Sequence, residues 1–255
     1  MFKHVKGFFK GVAVISLCLT GCLIPASCGS TGGDIHTPAP ETPAPTPVTR
    51  GSHEPIPEEI KSVMDGISMP EGATVTYDDL SYLSIPYLDF NMELQIGHMV
   101  VDRELADEVL DIFQEILLSG YPIESMELID YFNDKQTEEL DSLDRASMGN
   151  NNTSAFCYRV VNGTTRMSNH AYGRAIDINP KINPYVTVSG SVSPRNAVKY
   201  ADRSGEALSD IERAALIRSG DRVYNIFISR GWEWGGEIWS DSYYDYQHFQ
   251  KPKTP

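Results

Sequence analysis

Three short segments of this 255-residue chain gather side chains able to hold a cation or move a proton. They are Ser168-Asn-His170-Ala-Tyr-Gly173-Arg-Ala175-Ile-Asp177, Trp232-Glu-Trp234-Gly-Gly and Asp245-Tyr-Gln-His248-Phe249. A hydrolytic zinc site takes three protein ligands from histidine and carboxylate, leaving one position for water. The chain has six histidines, and His4, His36 and His53 fall in segments read below as signal or tether. His98, His170 and His248 remain for the domain. Asp177 lies in an apolar strand, where Ile176 and Ile178 take one face and Ala175, Asp177 and Asn179 the other. An unpaired buried carboxylate is costly, and a cation shared with two histidines would satisfy it. Singly, each residue has an ordinary reading: a core histidine, an edge aspartate, a surface Asp-x-x-His pair. Their combination points to a metal.

The pattern Ser-x-His-x-x-Gly-x-Ala-x-Asp, followed by a late acid-x-x-His, resembles the signature of the M15 zinc peptidases. These are D-Ala-D-Ala carboxypeptidases and L-Ala-D-Glu endopeptidases acting on bacterial cell-wall peptides. Ser168, His170, Gly173, Ala175 and Asp177 match the first block, and Asp245 and His248 the second, with Phe249 following. The segments Gly231-Trp-Glu-Trp-Gly-Gly236 and Asn151 to Arg159 add to the resemblance, which spans about Gly97 to Phe249. It implies one Zn²⁺ per domain on His170, Asp177 and His248, with Asp245 as general base. It also implies Arg159 as donor to the carbonyl oxygen or tetrahedral oxyanion, and a zinc fold shared with the Hedgehog signalling domain. Such a donor is typically worth about 3–4 kcal/mol in the transition state.

Other residues near these motifs have two readings. Asn162-Gly163 is a two-residue hairpin signal, which would set Arg159 opposite Arg166 and call for a nearby anion, either substrate or an acidic neighbour. Ser168 either binds substrate or caps the turn that positions His170. Trp232 and Trp234 are core residues or substrate walls, and Trp234 and Arg166 join Ser168 as substrate-binding candidates. Gly173 is read as a backbone requirement. Cys157 is read as a buried free thiol without chemistry. The acidic region from Asp130 to Asp144 is either a loop over the site or a solvated face, and the solvated face is the favoured reading.

The elements that must position these residues are legible in outline. Apolar residues at helical spacing predict a helix over Asp102–Ser119, with Asp102 as N-cap and Gly120 as the stop. Ser209-Asp-Ile-Glu212 is a capping box opening a second helix, and a third runs from about Asp221 to Gly231. Strands are expected at Tyr87–Ile96, Met126–Tyr131, Tyr158–Val161, Thr164–Met167 and Ala175–Asn179. Clustered strands flanked by helices give an α+β class with a small antiparallel sheet.

The N-terminal fifth is different material. Lys3, Lys6 and Lys10 precede an apolar run from Gly11 to Leu19, as in a secretory signal. The run is too short to span a bilayer, which takes about 20 apolar residues. Leu19-Thr-Gly-Cys22 resembles a bacterial lipobox, which implies acylation of Cys22 and membrane attachment through lipid alone; an ordinary signal cut near Ser27 is the alternative. Proline density through Pro57 reads as a semi-rigid polyproline spacer. The expected organisation is a signal over 1–21, a tether over 22–55 and a peptidase domain over 56–255.

Composition narrows the function. With 21 basic against 35 acidic residues the formal charge is −14, so nucleic acid is not an expected partner, because that affinity comes from Lys and Arg. The expectation is an exported, lipid-anchored monomer acting on peptidoglycan stem peptides in the cell envelope. A D-alanyl-D-alanine carboxypeptidase leads, because Arg159 and Arg166 would supply a site for a terminal carboxylate. An L-Ala-D-Glu endopeptidase is the alternative within the family. A non-catalytic, zinc-containing wall-binding module is the alternative outside it.

Overall fold

In chain order the strands and helices begin with β1 (Ser52–Glu54), α1 (Glu58–Met64), β2 (Leu80–Leu88), β3 (Leu94–Asp102) and α2 (Ala106–Leu118). There follow β4 (Ser125–Met126), α3 (Leu143–Gly149), β5 (Asn152–Thr153), β6 (Ala175–Asp177), β7 (Tyr185–Thr187) and β8 (Val192–Ser193). The chain closes with α4 (Asp210–Ala214), α5 (Arg222–Ile228), β9 (Glu233–Trp234), α6 (Gly235–Ile238), β10 (Tyr243–Asp245) and β11 (His248–Gln250). This computed structural model describes residues 50–137 and 142–253. The signal segment, Cys22 and the proline-rich stretch as far as residue 49 lie outside the described residues. Among the described residues, no helix is long and apolar enough to cross a membrane.

The fold is α+β, but its strands are spread over several small sheets. Three antiparallel sheets run β1-β2-β3, β10-β7-β8 and β6-β11-β9, and β4 pairs with β5 in parallel. The long hairpin of β2 and β3 gives the first core face. The expected strand over Tyr87–Ile96 instead straddles its turn: the Asp89 carboxylate accepts the N–H groups of Asn91 at 2.8 Å and Glu93 at 3.0 Å. This is the turn chemistry of a short acidic side chain overriding apolar flanks. The first strand also starts ahead of the expected boundary at Ile56. In β1, His53 pairs with Leu83 and its Nδ1 lies 3.0 Å from Ser81 Oγ, so it belongs to the sheet and not to a tether. All three β1 side chains are exposed, so the sequence carries no alternation there.

Helix α2 covers the hairpin with Val109, Leu110, Ile112, Phe113 and Ile116, all fully or almost fully buried. The expected cap Asp102 instead caps a 3₁₀ turn over Arg103–Leu105, accepting from Glu104 N at 2.9 Å, and α2 itself begins after Leu105 with no side-chain cap. The same core takes Ile176, Trp234 and Phe249 from the β6-β11-β9 sheet and Phe227 from α5, whose ring stacks on Phe249 at 4.0 Å. Each such side chain contributes roughly 1.5–3 kcal/mol on burial. The capping box at Ser209 and Glu212 is present as expected. The expected strand Met126–Tyr131 stops at Met126, where Asn152 Oδ1 takes the Glu127 N–H at 2.9 Å, and the chain enters a 3₁₀ helix over Ile129–Lys135.

Two contacts fix the motif loop against the first sheet. Arg174 is buried and pairs with Asp102 at 2.6 Å. Gly173 has φ +65°, and a Cβ there would sit 2.4 Å from Asp102 N and 2.6 Å from Val101 C. A side chain is thus opposed by both backbone conformation and space. Gly173→Ala is expected to cost at least about 2 kcal/mol, read as a lower urea midpoint. Gly163 has φ +73°, but a Cβ at that position would meet nothing within 4 Å. It serves as control and should lose only the conformational part. Equal losses at the two positions would contradict the close-packing argument.

Candidate metal centre and catalytic cleft

The Ser168–Gly173 segment forms a one-turn device for aiming His170. Ser168 caps a 3₁₀ helix over Asn169–Tyr172, its Oγ accepting from His170 N at 3.3 Å, and Gly173 closes it in the left-handed conformation. His170 Nδ1 lies 2.5 Å from Ala155 O. A carbonyl only accepts, so Nδ1 carries the proton and Nε2 faces inward.

Strand pairing brings the other two residues to that nitrogen. In the β6–β11 pair His248 lies directly opposite Asp177, and Phe249 opposite Ile176. Alternation then sends Ile176 and Phe249 to the core and Asp177 and His248 to the cleft. His170 Nε2 is 3.3 Å from Asp177 Oδ1 and 3.2 Å from His248 Nδ1, and His248 Nδ1 is 3.0 Å from Asp177 Oδ1. All three residues are buried. Among the described residues they form the one group of three or more His, Cys, Asp or Glu side chains close enough to share an ion. Burial by itself would raise the Asp177 carboxyl, but the His170 and His248 imidazoles hold it well below the usual carboxylate range. An ionised aspartate facing two inward ring nitrogens is a fitting donor set for a divalent transition metal.

Asp245 ends β10 beside this cluster. Its Oδ1 is buried without a hydrogen-bond partner. Burial pushes its carboxyl up to about 7, with Asp177 adding to the rise while His248 and Arg159 oppose it. An acid with a free oxygen and such a pKa is suited to exchange a proton near neutral pH. Gly235 explains part of the Trp-Gly-Gly segment: a Cβ there would lie 2.7 Å from Asp245 O and 2.9 Å from Asp245 Cβ. Gly236 has a different reason, since its Cβ would meet the Trp234 ring at 2.4 Å.

A cleft of about 910 Å³ opens over His170, Asp177, Asp245 and His248, and Arg159 lines it too. Arg159 NH2 donates to Asp144 Oδ1 at 3.1 Å, and that acid raises the guanidinium pKa further. The anion expected near Arg159 is therefore an acidic neighbour. The expectation of a solvated acidic face fails at both of its ends. Asp144 faces the cleft, and Asp130 is buried, accepting from Ser68 N at 2.9 Å. Residues 138–141 between them lie outside the described residues.

Arg159 and Arg166 do not face each other. The chain makes an isolated bridge between Val160 and Met167, and Ser168 N donates to Arg159 O at 3.0 Å. The turn spans Asn162 to Thr165, with Thr164 N–H on Val161 O at 3.0 Å and Thr164 Oγ1 accepting from Arg166 N at 3.1 Å. Two threonines thus lengthen the turn that Asn-Gly alone suggested, and the two expected strands reduce to that single bridge. Arg166 is exposed at the cleft rim, and Ser168 caps the His170 turn.

Trp234 lies apart from the cleft. It is a core residue, with Nε1 donating to Tyr246 O at 3.0 Å, and Trp232 is likewise buried, donating to Glu108 at 2.8 Å. The aromatic wall consists of residues outside the three motifs. The Trp239 ring lies 5.3 Å from His248 and 5.4 Å from Tyr243, which in turn is 4.8 Å from Tyr185. The signal was present in the run Trp239-Ser-Asp-Ser-Tyr-Tyr-Asp245 ahead of the acid. Cys157 is a buried free thiol on the cleft wall, its pKa pushed up to about 12 by burial.

Comparison with curated proteins and with solved structures returns no match. Residues 162–251 match the family model described as D-alanyl-D-alanine carboxypeptidase, of the M15 peptidases. That span holds His170, Asp177, Asp245 and His248 and begins just after Arg159. Over this segment the chain is similar to the M15 peptidases, and the match supports a peptidase that acts on peptidoglycan.

Proposed function

We propose that this chain is a zinc-dependent peptidase that trims peptidoglycan stem peptides in the cell envelope, acting as a D-alanyl-D-alanine carboxypeptidase. The observation that carries the reading is the convergence of three buried ligand atoms beside an acid whose free oxygen has no partner within the protein. His170 through Nε2, His248 through Nδ1 and Asp177 through Oδ1 would hold the cation. When bound, Zn²⁺ acidifies water to a pKa of about 7 and polarises the scissile carbonyl.

The chain's own residues do the rest. Asp245 accepts a proton from the attacking water and returns it to the leaving amine, a role its raised pKa suits. Arg159, held by Asp144, donates to the carbonyl oxygen as negative charge builds there. Trp239, Tyr243 and Tyr185 present flat surfaces along which an extended peptide can lie. Arg166, exposed at the rim with no ion-pair partner among the described residues, is the group left for a terminal carboxylate. That arrangement, together with the family description, favours the carboxypeptidase over the L-Ala-D-Glu endopeptidase. A wall-binding module without catalysis has no use for an acid with a buried, unpartnered oxygen beside the ligands. A signal over 1–21 and acylation of Cys22 would deliver the domain to the membrane surface, with the proline-rich stretch as spacer.

Muropeptides digested by the full chain are expected to lose one terminal D-Ala by mass spectrometry, with loss of the activity in chelator and recovery on adding Zn²⁺. A cut between L-Ala and D-Glu would establish the endopeptidase instead, and activity indifferent to the chelator would refute the metal mechanism. Asp245→Asn should keep stoichiometric zinc yet lose at least about 10²-fold in kcat, in line with general-base contributions; turnover near the wild-type rate would remove Asp245 from the mechanism. Arg159→Ala is expected to lose about 10²–10³-fold in kcat, and a change confined to KM would assign it to substrate binding alone.

A further inference from the structure

We propose that Gln250 is the positioning residue that selects which ring nitrogen of His248 faces the metal, and that Glu233 and Asn169 set the direction of the Gln250 amide. The inference rests on the reading of His248 as a metal ligand. Gln250 follows His248 by two positions on β11, so both side chains leave the same face of the strand. Its Oε1 lies 3.2 Å from His248 Nε2 and 2.7 Å from Asn169 Nδ2, and its Nε2 donates to Glu233 Oε2 at 2.7 Å.

These contacts fix the direction of the Gln250 amide. A carboxylate only accepts, so the amide nitrogen of Gln250 must face Glu233. Its oxygen then faces Asn169 and His248, and an amide oxygen also only accepts. His248 therefore donates from Nε2, which leaves Nδ1, beside Asp177 Oδ1 and His170 Nε2, as the ring nitrogen that a metal can take. The two histidines are oriented by opposite devices. A backbone carbonyl, Ala155 O, holds His170 with Nε2 inward, while a relay of side chains holds His248 with Nδ1 inward. Partners of this kind fix the tautomer and ring angle of metal-binding histidines.

The relay also links three separate pieces of chain. Glu233 lies directly opposite Gln250 in the β9–β11 pair, and Asn169 is the neighbour of His170. Glu233 is exposed, so its charge is not required to satisfy a buried partner other than the amide. Removing the Gln250 acceptor leaves the His248 Nε2–H without a partner in the protein.

The test is zinc affinity of the full chain by competition with a chromophoric chelator, together with ¹⁵N spectra of the histidine rings in the zinc-loaded protein. Gln250→Leu is expected to weaken zinc binding about 10–100-fold. Gln250→Glu alone should also weaken it, because two carboxylates then meet, and adding Glu233→Gln should restore it by reversing the polarity of the pair. That rescue separates positioning from packing. Should Gln250→Leu fold poorly, Glu233→Gln at its exposed site is the second variant, expected to bind zinc more weakly than wild type. Wild-type affinity in Gln250→Leu, no rescue in the double variant, or a zinc-loaded His248 protonated on Nδ1 would overturn the positioning role. Failure of the wild-type chain to bind zinc would overturn the proposed function itself.

Discussion

The site depends on the register of one short antiparallel pair, β6 against β11. Setting Asp177 opposite His248 places a carboxylate and an imidazole side by side on one face, with Ile176 and Phe249 on the other. A slip of one residue would put Phe249 into the cleft and His248 into the core. The core side holds the register, because Phe249 stacks between Phe227 and Trp234 and Ile176 is fully buried. The hydrophobic core and the metal geometry are thus two faces of the same three-residue strands. Neighbouring elements reinforce the arrangement: Ser154 pairs with Asp177 on the free edge of β6, and Arg174 fastens the start of the strand to Asp102.

Charge around the cleft follows from that geometry. Asp177, Asp245 and Asp144 line the cleft, and Arg159 pairs with Asp144 alone. Arg145 and Arg166 line it as well, and the two acids nearest the histidines are held in different states. Asp177 stays ionised against the two imidazoles, whereas Asp245, with a buried oxygen that has no partner, shifts toward the neutral form. Paired carboxylates pushed in opposite directions are a familiar division of labour, one binding and one exchanging protons. A divalent cation between the histidines and Asp177 would sit against the ionised carboxylate.

The proposed ligand residues were legible because their signal is local. His170, Gly173, Ala175 and Asp177 lie within one turn and one strand, so residue spacing reports spatial position almost directly. Asp245 and His248 sit on neighbouring strand ends and carry the same kind of information. Residues acting through long-range contacts were not legible. Asp144 meets Arg159 across 15 positions, and Gln250 meets Asn169 across 81. Trp239 becomes a cleft wall only after α6 and β10 fold back on His248, while Trp234, which carried the motif, is drawn into the core. The Arg159–Arg166 pairing failed for a smaller reason, since the two threonines after Asn162-Gly163 lengthen the turn. The strand starting at Ser52 gave no pattern because every side chain in it faces solvent.

Everything proposed for the cleft requires that His170, Asp177 and His248 bind a metal. Zinc K-edge absorption spectroscopy of the zinc-loaded full chain tests this most directly. The predicted first shell is nitrogen and oxygen only, at about 2.0–2.2 Å, with the outer-shell scattering of two imidazoles. A shell containing sulfur at about 2.3 Å, or one lacking the imidazole pattern, would contradict it, because Cys157 or another group would then be holding the metal.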